Sequence, residues 1–138
     1  MNVYSYAVWG WASHRGVLGD RSALKDFLSR LVEASKLEAL WVCSADVEVQ
    51  VALLERALEE DEGGAAASIV TSTGHASIHG WPEADPLEDD GAYFTLQVTS
   101  CRDFDKNLVM NLARGVLGAT RIDTRAYNLL PPPEVPEP

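Results

Sequence analysis

Apolar and polar positions alternate loosely from Val3 to Trp11, a stretch rich in Tyr, Val and Trp, which predicts a strand. His14 to Gly19 reads as a loop, with Gly16 and Gly19 as breakers. The period then lengthens. Leu24, Phe27, Leu28 and Leu31 recur at helical spacing, and Asp20 or Ser22 can cap their helix. Leu40 to Val49 reads as a second strand. Val51 to Glu62 fits a short amphipathic helix, ended by Gly63-Gly64. Ala66 to Thr73 and His75 to Trp81 are further strand candidates, and Thr73-Gly74 is either a tight connection or the continuation of one edge.

An acidic loop, Asp85 to Gly91, separates these from a strand at Ala92 to Ser100. Asp103 or Asp105 caps the next helix. Its apolar stripe is Leu108, Val109, Leu112, Val116 and Leu117, and Gly118 is a suitable stop. Thr120 to Tyr127 forms the last strand. The predicted fold class is α+β: a two-layer sandwich in which an antiparallel sheet is covered on one face by two helices. Residues 1–130 read as a single domain. The Pro-rich tail, 131–138, is expected to be extended and mobile.

With 138 residues the chain can bury one core, and its 46% apolar content suits a globular domain. The net charge of −10 argues against a nucleic-acid or anionic-membrane partner, because both need a basic face. No apolar run approaches a membrane span, and the N-terminus lacks a signal-peptide pattern. Two cysteines, Cys43 and Cys101, make no disulfide framework, so the expected setting is the cytoplasm. The acidic runs at Glu59 to Glu62 and Glu83 to Asp90 read as solvated loops, or as an attraction for a sulfonium or a polyamine.

The chemistry concentrates in Gly74-His75-Ala76-Ser77-Ile78-His79-Gly80-Trp81-Pro82-Glu83. On a strand, His75, Ser77 and His79 share one face. With Cys101 on a neighbouring strand, that face offers an acid, a base and a nucleophile. Two imidazoles and a thiolate would also suit zinc. An ordinary strand with hydrogen-bonded polar residues explains the same pattern. Trp81 suits a pocket or a core, and Trp9 and Trp11 suit a purine stack, a core or a dimer contact. His14 reads as a surface residue, Cys43 as a small buried one, and Arg121 and Arg125 as ordinary ion-pair partners.

Several of these residues recur in a known order. The chain reads Thr73-Gly74-His75, Ile78-His79-Gly80-Trp81-Pro82-Glu83, then Val98-Thr99-Ser100-Cys101, and after a helix Gly118-Ala119-Thr120-Arg121-Ile122. This resembles the short bacterial and archaeal S-adenosylmethionine decarboxylases. They carry Glu-Ser-His, Ile-His-Thr-Trp-Pro-Glu and Phe-Thr-Cys-Gly, followed by a helix and an Ala-x-Arg-Val-like strand. Members of that family cut themselves at the serine and convert it to a pyruvoyl cofactor, an electron sink for decarboxylation.

The resemblance implies roles by position. His79 matches the processing histidine, Cys101 the proton-donor cysteine, and Glu83 the glutamate that binds ribose hydroxyls. Trp81 and His75 would stand beside the ligand. Gly74 takes the place of the cleavage serine, Thr73 that of the preceding glutamate, and Ala66 that of an assisting serine eight residues upstream. Glycine has no hydroxyl, so no pyruvoyl cofactor is expected. The implied protein is an uncut homodimer that binds an adenosyl or polyamine small molecule or regulates a paralogue. Two alternatives stay open: an active decarboxylase of spermidine biosynthesis processed at an unusual residue, and a small metal-dependent enzyme using His75, His79 and Cys101.

Overall fold

The computed structural model describes residues 3–37, 64–85, 87–88 and 91–128. The predicted strand at Leu40 to Val49, the predicted helix at Val51 to Glu62, Cys43 and the Pro-rich tail lie outside the described residues.

Five strands form one sheet in the order β2-β3-β4-β1-β5, with every neighbouring pair antiparallel. They are β1 (Tyr4–Ala12), β2 (Ala65–Val70), β3 (Gly74–Trp81), β4 (Ala92–Ser100) and β5 (Ala119–Asn128). The period-two pattern decides the faces. Tyr6, Val8, Ala76, Ile78, Phe94, Leu96 and Val98 are buried on one side. The register confirms that they share it: Val98 pairs with Tyr6 on one flank and with Ala76 on the other. The opposite face carries Trp9, Trp11, His75, Ser77, His79, Trp81, Tyr93 and Thr95, all half-buried or exposed.

The helices lie on the apolar side. α2 (Arg21–Ala34) turns Leu24, Phe27, Leu28, Leu31 and Val32 into the core, and it packs on β2 and β3. Of the two candidate caps Asp20 is the one used, accepting from the Ser22 and Ala23 amides. α2 stops in a left-handed cap: Lys36 has φ 57°, Lys36 N donates to Glu33 O, and Leu37 N to Val32 O, both at 3.0 Å. Glycine suits that conformation better than lysine does. Lys36→Gly is therefore expected to stabilise the fold by about 0.5–1 kcal/mol, the left-handed penalty less the added freedom of the unfolded chain. Thermal unfolding would show this as a midpoint raised by a few degrees.

The loop expected at His14 to Gly19 needs a correction. It contains a single helical turn, α1 (Arg15–Leu18), which stops at Gly19 as the glycine suggested. A close approach stabilises this turn. A Cβ at Gly80 would run into the Leu18 carbonyl, so the missing side chain lets α1 lie directly on β3. The last helix, α3 (Lys106–Leu112), starts at Asp105, whose side chain accepts from Asn107 N at 2.9 Å. It continues as a π-helical turn over Ala113–Leu117, which periodicity alone did not foresee. Gly118 ends it with φ 69°. The carbonyls at that end are met from the β1–α1 junction: Ser13 N donates to Gly118 O, His14 N to Leu117 O, and His14 Nδ1 lies 2.8 Å from Val116 O. The exposed His14 thus has a capping contact.

Candidate functional site

β3 carries the motif, and its two ends are chemically different. At the first, β2 turns into β3 through Ser72 and Thr73, with Thr71 N donating to Gly74 O at 2.9 Å. The connection is therefore tight. Cys101, just past the end of β4, donates its amide to the Thr73 carbonyl at 2.9 Å, and its side chain is exposed. The Thr73 hydroxyl is 2.7 Å from that of Ser100, which also accepts from Arg102 N at 3.0 Å. Ser100 is buried, as is Thr71, whose hydroxyl accepts from Thr73 N. Gly74 sits inside this network and faces Ser100 across the ladder. A Cβ there would drive into the Thr99 carbonyl and come within 2.9 Å of Ser100 Cα, both of them backbone.

At the other end, His79 and Trp81 stack on one face, with ring centroids 3.7 Å apart and planes at 16°. Tyr93 follows on β4, 5.6 Å from Trp81, and meets Trp11 on β1 edge-on at 5.4 Å. Arg121 on β5 lies over Trp11 at 5.2 Å and pairs with Glu88 at 3.7 Å. A cavity of about 420 Å³ opens among Trp9, Trp11, Tyr93, Arg121 and Asp123. Glu83 turns off the end of β3, 65% exposed, with its carboxylate 3.8 Å from the Arg15 guanidinium. Ala66 is the strand partner of His79.

The shared face of His75, Ser77, His79 and Trp81 matches the alternation of the sequence. The joint constellation does not form within one chain. His75 and His79 are four residues apart on a straight strand, roughly 13 Å at 3.3 Å per residue. A zinc ion needs both nitrogens at about 2.1 Å, so these two cannot share one. Among the described residues no three His, Cys, Asp or Glu side chains group around a metal-sized site. The reading of a metal enzyme built on His75, His79 and Cys101 is corrected accordingly. Cys101 belongs with Gly74 and Thr73, whereas His79 belongs with Ala66 and Trp81.

Three participants escaped the sequence reading. Tyr93 was legible from the alternation of β4 but was not singled out. Ser100 carries no local signal for its bond to Thr73. Arg15 reaches carbonyls at Pro82, Asp85 and Glu88, far along the chain, and no local pattern announces contacts of that range. Arg121 does form the expected ion pair, and Arg125 lies over the Tyr127 ring at 4.8 Å.

The model of the S-adenosylmethionine decarboxylase family matches residues 6–128. A crystal structure of the adenosylmethionine decarboxylase from Aquifex aeolicus is similar in fold, with a TM-score of 0.61 and 16% identity over 99% of this chain and 98% of that one. No curated protein matches the chain in sequence.

Proposed function

The chain belongs to the S-adenosylmethionine decarboxylase family, and from that membership we propose that it is a member that keeps the scaffold and a ligand site without forming the pyruvoyl group. Gly74 carries the proposal. It supplies no hydroxyl for an acyl shift, and the β4 backbone occupies the space a side chain would need. The residues present do not fit the cofactor. The neighbouring Thr73 hydroxyl is engaged with Ser100. On this reading the protein purifies as one uncut chain of 15.0 kDa. Intact-mass spectrometry checks it. Two fragments split at Thr73, one with a keto terminus, would instead mark an active decarboxylase of polyamine synthesis.

The ligand end supports binding of an adenosyl compound. The Trp81–Tyr93–Trp11 row offers ring faces, Glu83 offers a carboxylate for ribose hydroxyls, and the acidic surroundings favour a sulfonium or a polyamine. Without an imine to a keto group, binding rests on these noncovalent contacts alone. A dissociation constant between micromolar and millimolar is expected, about −8 to −4 kcal/mol. Glu83→Ala should weaken it by about 1.5–3 kcal/mol. Titration calorimetry with S-adenosylmethionine, its decarboxylated form and spermidine reads both quantities.

A homodimer is part of the proposal. The family positions divide into Gly74 with Cys101 and Ala66 with His79 and Glu83, and Gly74 lies roughly 16 Å along β3 from His79. Two copies packed face to face with opposed strands would set the hairpin end of one against the aromatic end of the other. Sedimentation equilibrium distinguishes dimer from monomer. Among the described residues no helix is long and apolar enough to cross a membrane, and a cytoplasmic setting completes the reading.

A further inference from the structure

Arg15 opens α1, but its guanidinium works on the connection between β3 and β4. Nη1 donates to the Pro82 carbonyl at 2.8 Å; Nη2 donates to the Asp85 carbonyl at 2.6 Å and to the Glu88 carbonyl. Nη1 also faces the Glu83 carboxylate at 3.8 Å. The platform beneath it is closely packed. Leu18 is fully buried, α1 lies on β3 at Gly80, and a Cβ at Gly19 would touch the Pro82 ring at 3.1 Å. At the far side of the connection, a Cβ at Gly91 would come within 2.8 Å of Arg15 Nη2, so a glycine there leaves room for the guanidinium. Asp85 N donates to Gly91 O at 2.8 Å and Gly91 N to Glu88 O at 3.1 Å, which closes the segment on itself around the arginine. Two carboxylates of this segment face arginines: Glu83 meets Arg15, and Glu88 meets Arg121.

We propose that Arg15 is the positioning residue of the ligand end: it ties the β3–β4 connection at the Pro82, Asp85 and Glu88 carbonyls and holds the Glu83 carboxylate in place past the end of β3, setting ligand affinity without touching the ligand. The proposal rests on the reading of Glu83 as a ligand acceptor. The chemistry requires arginine. A planar fork can donate to several carbonyls and still face a carboxylate, whereas a lysine ammonium is a compact point charge that cannot span them. The acidic stretch is then held through its backbone by Arg15 while Glu83, Leu87 and Glu88 stay exposed to solvent.

Two measurements on the full chain test this, with Arg15→Lys as the main variant and Arg15→Gln as a second. The first is NMR-detected amide exchange without ligand. Asp85 and Gly91 amides should exchange about tenfold faster in Arg15→Lys, with the Val98 amide in β4 unchanged. Equal rates at Asp85 and Gly91 would overturn the tie. The second is S-adenosylmethionine calorimetry on wild type, Arg15→Lys, Glu83→Ala and the double variant. Arg15→Lys should weaken binding about tenfold when Glu83 is present and less than about twofold when it is not. The same loss in both backgrounds would overturn action through Glu83. If the wild type binds no S-adenosylmethionine, the ligand reading falls, the positioning role falls with it, and the exchange rates alone decide whether Arg15 ties the connection.

Discussion

Gly74→Ser is expected to leave the chain uncut and to lower its stability by about 1–3 kcal/mol or more, the usual cost of forcing extra atoms into a packed site. Restoring a hydroxyl is ordinarily the direct test of a lost nucleophile. Here the new Cβ meets the Thr99 carbonyl and Ser100 Cα before the hydroxyl is considered at all. Backbone cannot rotate aside as a side chain can. Either β3 and β4 separate at their first pair, which loosens the Thr73–Ser100 contact, or the serine is held in a strained geometry. Neither presents a hydroxyl aligned on the Thr73 carbonyl, and near-attack geometry is demanding. Chemical denaturation of the variant, with intact mass after long incubation, checks both parts. Complete self-cleavage with unchanged stability would refute the expectation.

Phe94→Ala should cost about 3–5 kcal/mol, toward the upper end of that range. Phe94 is fully buried in the middle of β4, and its partners on the two neighbouring strands are Gly80 and Gly10. Neither glycine has a side chain that can lean into the space the ring vacates. α1 already rests on Gly80 through the Leu18 carbonyl, so the helix layer cannot sink further there. The void therefore persists, and the cavity contribution adds to the lost transfer energy. Urea denaturation gives the difference directly, and a loss below about 2 kcal/mol would mean that the layer collapses after all.

Much of this architecture was visible in the sequence because its signals are local. The strand predicted at Ala92 to Ser100 has the boundaries it shows, β1 and β5 differ from expectation by one residue at each end, β3 by one residue at its start, and β2 stops at Val70, three residues short of the expected Thr73. Alternation placed His75, Ser77 and His79 on a common face, and Gly118 ended its helix as foreseen. The failures were of a different kind. Alternation gives the face of a residue but not its distance along the strand from another. It could therefore suggest His75, His79 and Cys101 as one constellation, and only an extended β3 separates them. The turn of α1 depends on the bare backbone of Gly80, more than sixty residues away. The acidic connection is exposed at Glu83, Ala84, Leu87 and Glu88, as its composition suggested, but composition alone cannot reveal that Arg15 holds its carbonyls.

The packing at Gly74 also bears on how such a chain changes over generations. Two of the four glycine codons become serine codons by one nucleotide, so a serine at this position can lie a single mutation away. Reach is not the same as access. Proteins sit only slightly above the stability they need, and on the proposed reading a serine variant at this position would start below its parent with no activity to offset the deficit. Spacing between β3 and β4, the residue at Thr73 and the residue at Ala66 would have to change in concert with it. On the reading proposed above, the closed backbone contact would therefore act as a ratchet, with the fold itself keeping the glycine in place.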